Sequence, residues 1–97
     1  MNSTVSPYEN LANAIILQAV KDYRQALRFL KRHPHTPDLD TEEAEKDAKK
    51  RALRNKIIKN EGERDDIERF FRSDRFGALA GIDPEMLITR LKEEVTV

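Results

Sequence analysis

The stretch PYENLANAIILQAVKDYRQALRFLKR, residues 7 to 32, repeats apolar side chains at spacings of three and four. That period places them on one side of an α-helix, while charged residues fall towards the other side. Ser6 can cap a free amide of the first turn, and Pro7 suits the first helical position. A proline disfavours helix at the residue before it, so Pro34 should end the element. The pattern therefore predicts one long helix over residues 7 to 32.

The middle of the chain predicts a second long helix. Asp40 is the expected cap, after a connecting loop over residues 33 to 40. Residues 42 to 52 are charged nearly all round, and we interpret them as a solvated helix in which i,i+4 ion pairs contribute roughly 0.3–0.5 kcal/mol each. Gly62 costs roughly 1 kcal/mol relative to Ala inside a helix. We therefore favour one continuous helix, and the alternative is a break at residues 60 to 62.

A heptad seam runs along this second helix from position 53 onwards, with steps of four and three residues. Two positions in the middle of the seam are polar. A buried Asn fixes register or oligomer state, and a buried Arg demands an anionic partner. We predict that the seam joins copies of the chain. Its residues are Leu53, Ile57, Asn60, Arg64, Ile67 and Phe71.

Two brief helices are expected at the end of the chain. Ser73 or Asp74 can cap the first, which ends at Gly81. The residues around Pro84 start the second helix. Its apolar side consists of Leu87, Leu91 and Val95.

The predicted fold is all-α: a helical hairpin of two long helices closed by two short C-terminal helices. We expect a single domain over residues 1 to 97, with an N-terminal tail at residues 1 to 5. With 97 residues, 38% apolar and 37% charged, a lone chain closes only a thin core. A homo-oligomer is therefore expected, because packing against a second copy adds burial.

Composition excludes several classes of protein. The chain has no Cys, which excludes a disulfide framework and a thiolate metal site. Its 18 basic and 18 acidic side chains cancel, which disfavours a protein held to nucleic acid by charge over its whole surface. No run approaches the roughly 20 apolar residues of a membrane span, and the start of the chain lacks a secretory signal. We expect a cytoplasmic protein without a membrane partner.

The sequence contains no convincing catalytic constellation. His33 and His35 lie near Asp38 and Asp40, a spacing that can bind a divalent metal, although two imidazoles in a loop are more often solvated. The serines lie at predicted caps rather than beside a histidine, and the glycines form no phosphate-binding loop. Solvation explains the carboxylate pairs better than acid–base catalysis does. We expect no enzyme, no cofactor and no metal site.

A basic run, KDAKKRALRNKIIK at residues 46 to 59, carries seven Lys or Arg and one Asp. Such a run can lie along a phosphate backbone. Its charges are spread around the helix and acidic stretches flank it, so a solvated surface is the favoured interpretation.

The segment IERFFRSDRF, residues 67 to 76, interleaves three phenylalanines with three arginines. One interpretation is an aromatic core with the arginines exposed. The alternative is a pocket wall, in which guanidinium groups hold phosphate and stack on rings, and free amides at a helix N-terminus bind an anion. The predicted ligand-binding residues are Tyr23, Arg24, Arg28, Arg69, Phe70, Arg72 and Ser73.

Two segments, NAIILQAVKDYRQALRFLKRHP and IERFFRSDRFGALAGIDPEMLITRLKEEV, resemble small uncharacterised proteins of bacteriophages and prophages of Gram-positive bacteria. Those proteins share an AI-x-x-QAV-x-DYR-x-AL helix and an ERFFRS-x-x-F-x-x-L segment before a D-x-E-x-LI helix. Residues 38 to 63 are not part of the resemblance, and Arg75 stands where the family commonly has an aromatic residue. The resemblance implies a virus-encoded accessory protein rather than a capsid or tail component.

Two functional hypotheses follow. The first is a non-enzymatic protein that sequesters an anionic ligand in the Arg and aromatic pocket, and the phage resemblance makes a nucleotide second messenger of host antiviral immunity the attractive ligand. The alternative is a protein-interaction or DNA-associated regulator that uses the basic helix at residues 46 to 59. Nucleic acid is the less favoured partner.

Overall fold

Every regular element between residues 7 and 96, the part of the chain that the computed structural model describes, is a helix. The predicted all-α fold is confirmed. Within these residues, none of the helices is long and apolar enough to cross a membrane. The elements follow one another as α1 (Pro7–Arg32), a 3-10 helix (Pro37–Asp40), α2 (Glu42–Lys46), α3 (Ala48–Phe71), α4 (Asp74–Ala80) and α5 (Pro84–Thr96).

The first helix, α1, has the bounds that its apolar period predicts. Tyr23 and Ala26 on the apolar side are buried, and Ile16, Ala19 and Val20 are half-buried beside them. The predicted Ser6 cap and the predicted tail at residues 1 to 5 lie outside the described residues. Because the helix is amphipathic, its apolar side provides one wall of the core.

A break at Asp47 separates α2 from α3, so the prediction of one helix from residue 42 to residue 71 is wrong at this point. The Asp47 carboxylate accepts hydrogen bonds from the amides of Lys49 (2.9 Å) and Lys50 (3.3 Å), and so starts a new helix. A short acidic side chain that bonds its own backbone competes with a continuing helix. The predicted cap is also shifted by one residue, because the hydroxyl of Thr41, rather than Asp40, accepts a hydrogen bond from the amide of Ala44 in the first turn of α2 (3.2 Å).

The helix α3 continues through Gly62, as predicted. Ile57 and Phe71 of the predicted seam are fully buried within the chain, so these two residues are not available to join copies, and this part of the seam prediction is wrong. The physical reason is that α1 lies along the same side of α3 and covers it, as the contact of Tyr23 with Phe71 shows. The other seam residues are half-buried: Leu53, Asn60, Arg64 and Ile67.

The polar seam residues are satisfied on their own helix. The Asn60 amide donates to the carbonyl oxygen of Lys56 (2.9 Å). Arg64 pairs with Asp65 (2.9 Å) rather than with a buried anion of a partner. Neither side chain therefore needs a second chain to complete its hydrogen bonding.

Local caps shape the end of the chain as predicted. The Ser73 hydroxyl accepts from the amide of Phe76 (3.2 Å), and α4 ends at Gly81 with a φ of 66°, a left-handed conformation that favours glycine. The Asp83 carboxylate accepts from the amide of Glu85 (3.0 Å) at the start of α5. On α5 the buried residues are Ile88, Leu91 and Val95, whereas the predicted Leu87 is half-buried.

One aromatic cluster forms the centre of the core. The Tyr23 and Phe71 rings meet edge to face with centroids 5.5 Å apart, and Phe71 and Phe76 lie 5.2 Å apart. Ile88 and Leu91 of α5 complete the cluster. This places the core at one end of a molecule of 59 × 25 × 23 Å, while the 3-10 helix and α2 pack on α3 towards the other end.

Replacing Phe71 with alanine should lower the free energy of unfolding by about 3–5 kcal/mol, since it removes a fully buried ring from the centre of the cluster. Urea denaturation followed by circular dichroism measures this loss. Leu17→Ala is the matched control: that side chain is 67% exposed, so its loss should stay within about 0.5 kcal/mol. A loss below about 1 kcal/mol for Phe71→Ala would contradict this account of the core.

Candidate functional site

The residues predicted to form a ligand pocket are distributed over core and surface. Tyr23 is fully buried, and its hydroxyl donates to Glu68 Oε2 at 2.7 Å. Burial raises the pKa of the Tyr23 phenol, and the neighbouring Glu68 carboxylate raises it further. This tyrosine is therefore a neutral core residue rather than part of a pocket wall.

The predicted arginines are paired with carboxylates of their own chain. Arg24 forms a two-point ion pair with Glu94 (2.8 and 3.0 Å), and Arg72 forms one with Glu85 (2.6 and 3.0 Å). Pairing raises the pKa of the Arg72 guanidinium and lowers that of the Glu85 carboxyl. Because nine residues of helix separate Glu85 from Glu94, the two arginines are anchored roughly 13 Å apart along α5.

The remaining predicted ligand residues also have structural roles or exposed positions. Arg69 pairs with Asp66 on the exposed surface of α3, and Arg28 is exposed on α1. The Phe70 ring packs on Phe76 (5.4 Å), and the Ser73 hydroxyl caps α4. The structure does not gather these side chains around one recess, so the predicted pocket geometry is wrong for a single chain. Of the predicted arginines, Arg24 is already neutralised by Glu94, and Arg72 by Glu68 and Glu85.

A recess of about 580 Å³ lies between α1, α3 and α5. Leu27, Leu30 and Val95 contribute apolar surface to it. Its cations are already engaged: Arg64 by Asp65, Lys92 by Glu68 (3.5 Å), and Lys31 by the carbonyl oxygen of Val95 (2.6 Å). An anion entering this recess would have to displace those contacts.

The cations of the basic run lie on two different sides of α3. On one side Arg54 pairs with Asp40 (2.8 Å), Lys50 lies 3.8 Å from Asp38, and Arg51 donates to the carbonyl oxygen of Glu45. These contacts tie the run to the 3-10 helix and α2. This side of α3 is therefore neutralised within the chain.

On the other side of α3, Lys49, Lys56 and Lys59 are exposed. Their separations of seven and three residues place them on one side of a helix. Among the described residues, no carboxylate lies within ion-pair distance of any of the three. Their spacing in the sequence already separates these three lysines from the paired cations, a signal that is lost when the charges of the whole run are considered together.

Two of these lysines, Lys49 and Lys56, line an apolar recess of about 300 Å³. Phe29 and His33 of α1 form one wall, with their ring centroids 4.7 Å apart. Ala52 and Leu53 of α3 form the other, between Lys49 and Lys56. We call this the basic recess, defined by Phe29, His33, Lys49, Ala52, Leu53 and Lys56.

A second recess of about 390 Å³ lies further along the same side of the α1–α3 pair. Ile15, Ala19, Ile67 and Phe70 line it, and all four are half-buried. Carboxylates stand at its edges. We call this the acidic recess, defined by Ile15, Gln18, Ala19, Asp22, Asp66, Ile67 and Phe70.

Comparison of the chain with protein-family models, with curated proteins and with solved structures finds no match.

Within residues 7 to 96, no group of three or more His, Cys, Asp or Glu is arranged to hold a metal ion. The two nitrogens of His35 instead face two different carboxylates, Asp40 (2.9 Å) and Glu61 (3.0 Å).

His35 links the loop before the 3-10 helix to α3, and this link should depend on pH. Hydrogen bonds to Asp40 and then Glu61 raise the pKa of His35 above its ordinary value, because only the imidazolium donates from both nitrogens. The resulting stabilisation is complete below the pKa of an unfolded histidine, about 6.5, and is lost as the pH rises through the higher folded pKa.

Thermal melts of the parent chain and of His35→Gln at a series of pH values test this link. The melting temperature of the parent should exceed that of the variant most at mildly acidic pH, and the difference should shrink as the solution becomes alkaline. A difference that stays constant across that range would show that the imidazolium is not what holds the loop.

Proposed function

We propose that this chain is a non-enzymatic interaction protein that binds an acidic, amphipathic segment of another protein at the basic recess. One observation carries the proposal: the exposed side chains of Lys49, Lys56 and Lys59 form no ion pair with a carboxylate of the described residues, and Lys49 and Lys56 line an apolar recess. Charged side chains at the rim of an apolar patch are the usual anatomy of a protein interface.

A protein partner fits this surface better than duplex DNA does. The three lysines extend over about 15 Å of helix, which allows only a few phosphate contacts. The formal net charge of the chain is zero, so there is little long-range attraction to a polyanion. Phe29 and Leu53 offer apolar contact that a phosphate backbone cannot use.

Sequestration of a nucleotide by the predicted arginines is the less favoured proposal. A ligand would have to break the pairs of Arg24 with Glu94 and of Arg72 with Glu85 and leave those carboxylates near its own negative charge. Tyr23 cannot rotate out to stack on a base without opening the core.

The resemblance to phage proteins supports a more specific form of the proposal. We propose that the chain is a phage accessory protein that works in the host cytoplasm, where its partner is a host protein. Blocking or redirecting that partner requires a complementary surface and no catalytic group.

Charge reversal of the three exposed lysines on α3 tests the proposed function. Lys49→Glu/Lys56→Glu/Lys59→Glu should bind a labelled helical peptide, with leucine on one side and aspartate and glutamate on the other, at least about tenfold more weakly than the parent, a change of about 1.4 kcal/mol. Fluorescence anisotropy at several salt concentrations measures the affinity. The matched control reverses three exposed charges elsewhere: Lys21→Glu/Arg28→Glu/Arg90→Glu.

The control variant should bind the peptide as the parent does, and a labelled DNA duplex should bind weakly to all three proteins. Equal peptide affinity for the parent and the lysine variant would overturn the proposal. Strong duplex binding with a steep salt dependence would replace the protein partner with nucleic acid. Binding of a cyclic nucleotide that is lost in Arg24→Ala or Arg72→Ala would restore the sequestration hypothesis.

A further inference from the structure

The basic and acidic recesses form a complementary pair on one surface. Both lie on the side of the α1–α3 pair away from α5, which we call the open side, since neither recess is lined by α5. One recess has lysines at its rim and the other has aspartates, and both have apolar floors. A surface with opposite charges at its two ends matches a copy of itself turned end to end.

The two recesses are separated along the helices by about 20 Å, as the 1.5 Å rise per residue of α1 and α3 gives. A two-fold axis that lies in the plane of the contact, perpendicular to the helices and midway between the recesses, would place the basic recess of each copy opposite the acidic recess of the other. Such an isologous contact uses the same patch on both copies and closes after two subunits.

We infer that a second copy of this chain covers the open side, so that each acidic recess receives Lys49 and Lys56 of the other copy. The inference rests on the proposed function, because the second copy uses the same basic recess and occupies it until a different protein displaces that copy. It keeps only part of the predicted heptad seam: Leu53 and Ile67 line the two recesses, whereas Ile57 and Phe71 are buried within the chain.

The charges that face the open side agree with this arrangement. Asp22 and Asp66 flank the acidic recess; Asp22 accepts from Gln18 (2.8 Å) and Asp66 pairs with Arg69 of its own chain. An exposed carboxylate keeps the capacity to accept from a lysine of a second copy. Lys59 and Glu63 lie between the recesses on α3, so across a two-fold axis the lysine of one copy meets the glutamate of the other.

The size of the open side also suits a stable dimer. α1 is 26 residues long, or about 40 Å, and a pair of helices is about 20 Å wide, so the open side covers about 800 Å² per copy. A standard protein–protein interface buries about that area on each partner. The exposed edge of Leu11, next to the Ile15 end of the acidic recess, extends the apolar contact.

A charge-swap experiment tests the inference. Lys49→Glu/Lys56→Glu places acids in both recesses, and Asp22→Lys/Asp66→Lys places bases in both. We expect the parent to approach twice the chain mass of 11.3 kDa in light scattering as its concentration rises, and each variant alone to dissociate at concentrations at least tenfold higher than the parent. Mixed in equal amounts, the two variants should form a heterodimer detected by native mass spectrometry.

The matched control, Lys21→Glu/Arg90→Glu, reverses two charges away from the open side and should dimerise like the parent. Circular dichroism melts of every variant confirm that it is folded. A parent that stays monomeric at all concentrations overturns the inference, and so do two variants that do not prefer each other in the mixture.

Binding of the acidic helical peptide, measured as described for the proposed function, distinguishes a failure of this inference from a failure of the proposed function. If the parent is monomeric but binds the acidic peptide, the inference of a second copy is overturned and the proposed function stands. If the two variants form a heterodimer but the parent does not bind the peptide, the second copy stands as the partner. Binding of a different protein at the basic recess is then overturned.

Discussion

The contact between Tyr23 and Phe71 joins the two long helices, and among the described residues these are the fully buried aromatic side chains of α1 and α3. The tyrosine hydroxyl reaches Glu68, which also meets Arg72 and Lys92, so the core and a surface charge network share one carboxylate. Phe76 and α5 can close the core only because this junction sets the spacing of α1 and α3. The positions of Arg24 and Arg72 beside α5 follow from that geometry.

The two arginines near the Tyr23–Phe71 contact hold α5 in place through ion pairs. Arg24 holds its C-terminal end through Glu94, and Arg72 holds its N-terminal end through Glu85. Exposed pairs of this kind contribute little stability individually, but anchoring one short helix at both ends restrains its orientation. On α3, by contrast, Lys49, Lys56 and Lys59 form no ion pair with a carboxylate of the described residues, because Asp38 and Asp40 meet the cations on the other side of the helix.

Much of the fold could be predicted from local sequence. The apolar period fixed the bounds of α1, and the caps at Ser73, Gly81 and Asp83 act within a turn of their own residues. The partners of the arginines could not be predicted, because Arg24 and Glu94 are 70 residues apart and meet only through the placement of α5. The Asp47 break was missed because a carboxylate in a charged run serves equally well as a surface residue or as a cap.

The elongated form of the molecule affects how its size is judged in solution. The radius of gyration is 17.3 Å, whereas a compact domain of this length has about 12.5 Å. A rod-like particle diffuses more slowly than a sphere of equal mass, so it leaves a gel-filtration column early. A single chain calibrated against spherical standards would therefore be mistaken for a larger assembly.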